Sequence, residues 1–185
     1  MTVEGIVLEV PDLATETIRL RPWRGDDAAT LSLAWHDPDI IAGSRPPVDR
    51  SVPAASHWIE GCEVRRQAGV AFDLVIAACD DDRVLGEVGF SRFDVGRRAA
   101  LMGWWVHPEE RGRGVAGEAV GSLTEWALND GGLVAILAEI DPTNVASERV
   151  AQRAGFRVMN DTRNPQETAR GRGARVWYVA NSTVK

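Results

Sequence analysis

Arg111, Gly112, Arg113 and Gly114 stand directly before a helical pattern, within the stretch LMGWWVHPEERGRGVAGEAVGSLTEWA from Leu101 to Ala127. Those residue types at that spacing suit an anion. From Gly114 onward Val115, Ala116, Ala119, Val120, Leu123, Trp126 and Ala127 recur at helical spacing, so one face of a helix is buried. The first turn of a helix carries backbone N–H groups with no intrahelical partner, and its aligned peptide dipoles make that end partly positive. Phosphates bind there. Glycines at 112 and 114 omit the Cβ atoms that would hold a phosphate off those amides. Arg111 and Arg113 can add charge-assisted bonds of roughly 1.5–3 kcal/mol each. The spacing therefore predicts a pyrophosphate cradle over residues 111–116.

Two other phosphate motifs compete for this stretch. The chain has no Gly-Lys-Ser/Thr, which excludes a Walker-type loop. Gly112, Gly114 and Gly117 do spell G-x-G-x-x-G, with Glu139 near the end of the following strand, as in a dinucleotide fold. In that fold the strand runs almost directly into the first glycine, whereas here residues 107–111 intervene. The preceding chain also reads as consecutive short strands, not as a βαβ repeat.

The elements that must position this loop follow from the pattern on either side. Residues 1–14 are expected as a loose arm, and Thr17–Trp23 alternates as a half-buried strand. A helix is expected from Asp26 to Trp35, closed by His36 and Asp37 before Pro38. His36 reads as a capping or surface group. Residues 42–53 form a Gly/Pro/Ser loop long enough to border a site, and a second helix spans 54–67. The strands AFDLVIAAC and RVLGEVGFSRF and the strand ending at Val106 form an antiparallel meander. After the glycine-loop helix, Leu133–Ile140 is an apolar run suited to a strand buried on both faces and parallel to its neighbour. Asp141–Asn144 cap a short helix stopped by Gly155. The polar loop 162–173 precedes a last strand, 174–181.

Composition narrows the partners. The 185 residues are 44% hydrophobic, which suits one domain spanning 1–185 with a sizeable core. A net charge of −6 argues against a nucleic-acid surface and against an anionic membrane, and fits a cationic acceptor. Cys62 and Cys79 supply neither a disulfide framework nor metal spacing, so no metal is expected. Without a basic leader or a membrane-length apolar run, the expected location is cytoplasmic. Both monomer and homodimer stay open.

The stretch VHPEERGRGVAGEA resembles the acyl-coenzyme A signature of the GNAT superfamily of N-acetyltransferases, whose pattern Arg/Gln-x-x-Gly-x-Gly/Ala is filled by Arg111, Gly114 and Ala116. GWWVHP and NVASERVAQRAGF are similar to the branch of ribosomal-protein N-terminal acetyltransferases (RimJ/RimL-like), and the likeness runs from about Thr17 to Val179. It implies an α+β fold: a mixed, mostly antiparallel sheet of about seven strands flanked by about four helices, with a splayed parallel strand pair at the cofactor site. It also implies acetyl-coenzyme A as co-substrate and a primary amine as acceptor, on a peptide N-terminus or a small molecule. Trp105, Val106, residues 111–116, Asn144 and Ser147 would line the cofactor.

Acetyl transfer needs a neutral amine beside the thioester, a relay for its proton and a donor for the departing thiolate. Glu139 is a carboxylate in an apolar strand, five residues before Asn144, where related enzymes keep the group that draws off the proton, through water. Glu87, on a neighbouring strand, is a second candidate. Many relatives place a tyrosine seven residues after the asparagine, but Ala151 stands there, so Ser147 is the expected thiolate donor. Trp35 and Trp58, on the two N-terminal helices, could wall an acceptor pocket, although large aromatics more often fill cores. The missing tyrosine also makes a non-catalytic acyl-coenzyme A-binding or sensing module conceivable.

Overall fold

A computed structural model describes residues 6–159 and 176–182. Its strands are β1 (Leu13–Ala14), β2 (Ile18–Pro22), β3 (Ala71–Ala78), β4 (Val84–Asp94), β5 (Ala99–Val106), β6 (Ala135–Ile140), β7 (Arg157–Val158) and β8 (Val176–Asn181). They form one sheet in the order β1-β2-β3-β4-β5-β6-β8-β7. The β5–β6 pair is parallel and every other pair is antiparallel. The expected meander is β3-β4-β5, and a crossover carries helix α5 (Val115–Asn129) from β5 to β6; a further connection passes from β6 over β8 to β7. This topology removes the dinucleotide-fold alternative, because no crossover helix precedes the glycine loop within the meander.

Among the described residues the sheet has eight strands where about seven were expected, because Leu13–Ala14 adds a short edge strand beside β2. The arm is not loose from Leu8 onward. Leu8 is buried, and its carbonyl accepts a hydrogen bond from Arg66 at 2.6 Å. Among the described residues six α-helices stand where about four were expected: α1 (Ala28–Ala34), α2 (Pro38–Ser44), α3 (Val52–Glu60), α4 (Cys62–Gln67), α5 and α6 (Val145–Arg153). Pro38 does not merely end a helix; it opens α2, with Asp37 as N-cap accepting from the Asp39 and Ile40 amides. Proline suits the first helical position because that N–H has no partner anyway. Gly61 divides the helix expected over 54–67. The loop expected over 162–173, like residues 174 and 175 of the last strand, lies outside the described residues.

Both faces of the sheet are covered, which is why β3 and β4 read as apolar runs. On one face α5 packs Val115, Ala119, Val120 and Leu123 against Phe72, Phe90, Met102 and Ile136. On the other, α1 to α3 bury Leu31, Trp35, Ile40 and Ile59 against Val75, Ala77 and Trp105. Strand alternation therefore splits β5: Met102, Trp104 and Val106 face the α5 side, and Trp105 faces the α1–α4 side.

Strand β4 approaches β5 closely at Gly86, where a Cβ would lie 2.2 Å from the Trp105 carbonyl oxygen. Gly86→Ala is expected to lower stability by about 2–3 kcal/mol, since the backbones must separate to admit the methyl group. Urea unfolding followed by circular dichroism measures it.

Candidate functional site

The β5–β6 ladder runs from Ala99↔Ala135 to Met102↔Ala138 and stops. Beyond it, Gly103 and Trp105 stay paired with β4, while Glu139 and Ile140 stay paired with β8. Each strand is held by its outer neighbour, so a gap opens between them at the level of Gly103–Val106. This is the splayed parallel pair the sequence implied.

At the end of β5 a short turn, Pro108–Glu110, leads into the glycine loop. Gly112 and Gly114 have φ of +79° and +88°, conformations that side chains other than glycine's seldom adopt. A Cβ on Gly112 would meet no atom within 4 Å, so the space above the loop is open. Gly114 is the N-cap of α5 and gives the helix no side-chain cap, which leaves its first amides available to an anion. Glu118, in the first turn, is held by hydroxyl donors from Thr15 and Thr17, both at 2.8 Å.

The two loop arginines do not point where the sequence suggested. Arg111 donates to Asp37 at 2.7 Å, Asp39 at 2.8 Å and the Val106 carbonyl at 3.1 Å, tying the loop to α2. Arg113 pairs with Glu110 at 2.8 Å. The backbone amides, not these guanidiniums, are the groups the loop presents.

Beside the gap, Asn144 caps α6 through Oδ1, which accepts from the Ser147 amide at 3.0 Å. Capping and nearness to the gap hold together, as α6 follows directly from the end of β6. Ser147 is partly exposed, and Ala151 is fully buried.

On the α1–α4 face of the sheet two carboxylates flank β5. Glu139 Oε2 lies 3.6 Å from Arg92 Nη1, and its side chain is mostly covered. Glu87, opposite Trp105, accepts from the Trp105 indole N–H at 3.2 Å. The residue keeps some exposure, yet its Oε2 is buried and without a hydrogen-bond partner, as is the indole nitrogen of Trp23. Burial pushes the Glu87 carboxyl up to about 8. Repulsion from Asp73 adds to the rise, against the Trp105 and nearby Trp23 N–H groups and Arg65. Burial also raises Asp73, and Arg65 at 3.5 Å opposes that rise. The Cys62 thiol beside them is pushed up to about 12, chiefly by burial.

A cavity of about 460 Å³ lies outside α3, lined by Trp58, Arg65, His57, Asp49, Glu60 and neighbours. Trp58 walls this cavity, with Arg65 stacked 4.4 Å from its ring centroid. Trp35 does not line it. It is 4% exposed and packs edge-on behind Trp58. His36 is a helix-end group, its Nδ1 2.8 Å from the Ser32 carbonyl.

Trp105 and Val106 thus lie at the end of β5, residues 111–116 in and after the loop that follows it, Glu139 near the end of β6, and Asn144 and Ser147 at the start of α6, with Glu87 opposite Trp105 on β4. Sequence reasoning missed Asp73, Arg65 and Trp23. Asp73 carried a usable signal, a carboxylate inside the apolar run AFDLVIAAC.

Comparison with known proteins accords with this geometry. Residues 17–157 match the family described as Acetyltransferase (GNAT) domain. An uncharacterized N-acetyltransferase, p20 of Bacillus licheniformis, is 28% identical over 160 residues, covering 86% of this chain and 89% of that one. Among solved structures, the microcin C7 self-immunity acetyltransferase MccE, in complex with acetyl-CoA and AMP, superposes with a TM-score of 0.74. It is 20% identical and the match covers 90% of this chain and 93% of that one. The ribosomal-protein-S5-alanine acetyltransferase of Vibrio fischeri superposes with a TM-score of 0.75 at 17% identity, covering 94% and 98%. At such identities these two likenesses are of fold. No described helix is long and apolar enough to cross a membrane.

The state of Glu87 has a consequence for stability. Its folded value of about 8 exceeds the ordinary 4.5, so its contribution is whole below about 4.5 and is lost as pH rises through about 8. The difference in stability between Glu87→Gln and the natural protein should therefore grow in favour of the variant from pH 5 to pH 8. The slope is at most about 1.4 kcal/mol per pH unit. Urea midpoints at pH 5, 6.5 and 8 measure it; a constant difference would mean the carboxyl is ionised throughout.

Proposed function

The chain belongs to the acetyltransferase (GNAT) family, and on that premise we propose that it transfers the acetyl group of acetyl-coenzyme A directly to a primary amine, on a peptide N-terminus or a small molecule. The observation that carries this reading is the parting of β5 and β6 beside a glycine-lined, uncapped helix start. The fit to the co-substrate is chemical. Open space over Gly112 and free-facing amides at the start of α5 suit a pyrophosphate, and the gap suits an extended chain with amides that need partners.

The roles of the residues follow from their places. Trp105 and Val106 form the β5 wall of the gap, and Asn144 and Ser147 stand at the α6 side. Ser147 is the hydroxyl that gives a proton to the departing thiolate, in place of the tyrosine that Ala151 excludes. The acceptor comes from the α1–α4 face, where Gly103 is exposed and a Cβ on it would meet nothing within 4 Å. Two carboxyls stand on that face, Glu139 and Glu87, and one of them takes the proton of the amine. Holding the amine and the thioester together supplies much of the rate.

A thiol-release assay over peptides, polyamines and aminoglycosides tests the activity. Acetyl-coenzyme A bound without thiol release from any amine would favour a binding module instead. Gly114→Val should weaken acetyl-coenzyme A binding at least about tenfold in calorimetry, because φ near +88° is denied to valine and the loop must move off the phosphates. Unchanged affinity in a folded variant would remove the cradle. Ser147→Ala should lower turnover by less than about tenfold, since water can also protonate a thiolate. A larger loss would assign the serine more than proton donation.

A further inference from the structure

Resting on the acetyl-transfer reading, we propose that Glu87 takes the proton of the attacking amine, and that Glu139 serves instead as the ion-pair partner of Arg92. Register puts both carboxylates on the right face. Glu87 is opposite Trp105 and Gly89 is opposite Gly103, while Glu139 follows the last β5–β6 pair, Met102↔Ala138. Partners in register point to the same side of a sheet, so Glu87, Gly103, Trp105 and Glu139 share the face from which an acceptor reaches the gap.

What separates the two carboxylates is their company. Glu139 Oε2 already faces the Arg92 guanidinium at 3.6 Å, and an ammonium arriving there would have to compete with it. Glu87 is fixed at one oxygen by the Trp105 N–H, while its other oxygen is buried without any partner. A buried acceptor left unpaired costs about 1–3 kcal/mol, and the one donor turned toward it is the Trp23 indole N–H, itself buried and without a close hydrogen bond. An amine arriving over Gly103 comes in two residues along β5 from Trp105, on the face that Glu87 shares. The groups that face Glu87 from packed elements are Asp73 on β3, Arg65 and Cys62 on α4, and the indoles of Trp105 and Trp23. Asp73 has Arg65 for a partner, which leaves Glu87 as the member of the pair that gains and loses a proton.

The step balances. An ammonium gives one proton to the Glu87 carboxylate, and the freed nitrogen lone pair forms a C–N bond to the thioester carbonyl carbon. The C–S bond breaks and its electron pair leaves on sulfur, while the nitrogen sheds its second proton, which reaches the thiolate by way of the Ser147 hydroxyl, leaving the amide and the free thiol. Glu87 then returns its proton to water. A base whose own value lies near that of an α-amine, about 7.7–8.0, is matched to this exchange.

The experiment compares the natural protein with Glu87→Gln and Glu139→Gln, on the best amine of the acceptor panel. It records kcat/KM against pH, corrected for the acceptor's own measured ionisation. The natural protein should rise to a plateau through about 8. Glu87→Gln should lose that rise and fall about 10²-fold or more at pH 8, with acetyl-coenzyme A affinity unchanged. Glu139→Gln should keep the rise and lie within about tenfold, below what removal of a general base costs. Should Glu87→Gln fail to fold, Trp105→Phe serves: it deletes the N–H that favours the carboxylate, so the inflection should move to higher pH. A Glu87→Gln profile like the natural one, or an unmoved inflection in Trp105→Phe, overturns the assignment alone. A natural protein that releases no thiol with any amine overturns acetyl transfer, and the assignment with it.

Discussion

The hydrogen-bond ladder between β5 and β6 stops at Met102 and Ala138, and most of what distinguishes this molecule depends on that stop. A parallel pair inside a sheet ordinarily continues until one strand ends. Here both continue, but β5 keeps β4 and β6 keeps β8, so each backbone group that leaves the shared ladder faces a gap. Unpaired backbone amides and carbonyls are costly when buried. The gap therefore has to be wet or filled by a molecule with amides of its own, and the glycine loop lies at the end of the strand that forms one wall.

The two cores make the opening usable from both sides. The α5 face is sealed by Val115, Ala119 and Leu123, so that helix start is rigidly set against β5. The opposite face is covered by α1 to α4 only as far as Trp105; Gly103 beyond it is exposed. In the proposed reaction one face would hold a long thin ligand by its charged end and the other would admit the second reactant. The aromatic density of the α1–α4 core has its own effect. Trp23, Trp58 and Trp105 pack within about 6 Å of one another in the centroid pairs Trp23–Trp58 and Trp23–Trp105, and this apolar wall raises Glu87.

Much of this was legible in the chain because periodicity and glycine placement are local signals. The helix after Gly114, the meander, the parallel crossover and the cap at Asn144 all follow from neighbours within a few residues. The failures are nonlocal. Leu13–Ala14 became a strand because β2 offered an edge, and Pro38 opened a helix because Asp37 was free to cap it. The burial of Trp35 beside a cavity walled by Trp58 depends on which face of each helix meets the sheet, and two tryptophans on neighbouring helices look alike in sequence. Glu87 was seen as a carboxylate on a strand, but its surroundings are set by Trp105, Asp73 and Arg65, which come from three other elements.

Arg111 shows how a motif can match in type while its side chain does something else. The sequence pattern marks it as part of an anion site, and its charge invites a bond to phosphate. Yet its guanidinium joins Asp37 and Asp39 at the start of α2, and its Nε joins the Val106 carbonyl at the end of β5. Burial works against the Asp37 charge, but Arg111 and the two capped amides outweigh it and hold that carboxyl below its ordinary value. One residue thus clasps the helix that follows α1, the strand that walls the gap and the loop that faces the anion. A phosphate contact by this guanidinium would require it to leave two carboxylates. In the proposed function the loop would therefore hold its anion by amides at a helix start, which need no charge of their own and fix the backbone geometry more tightly than a long side chain does.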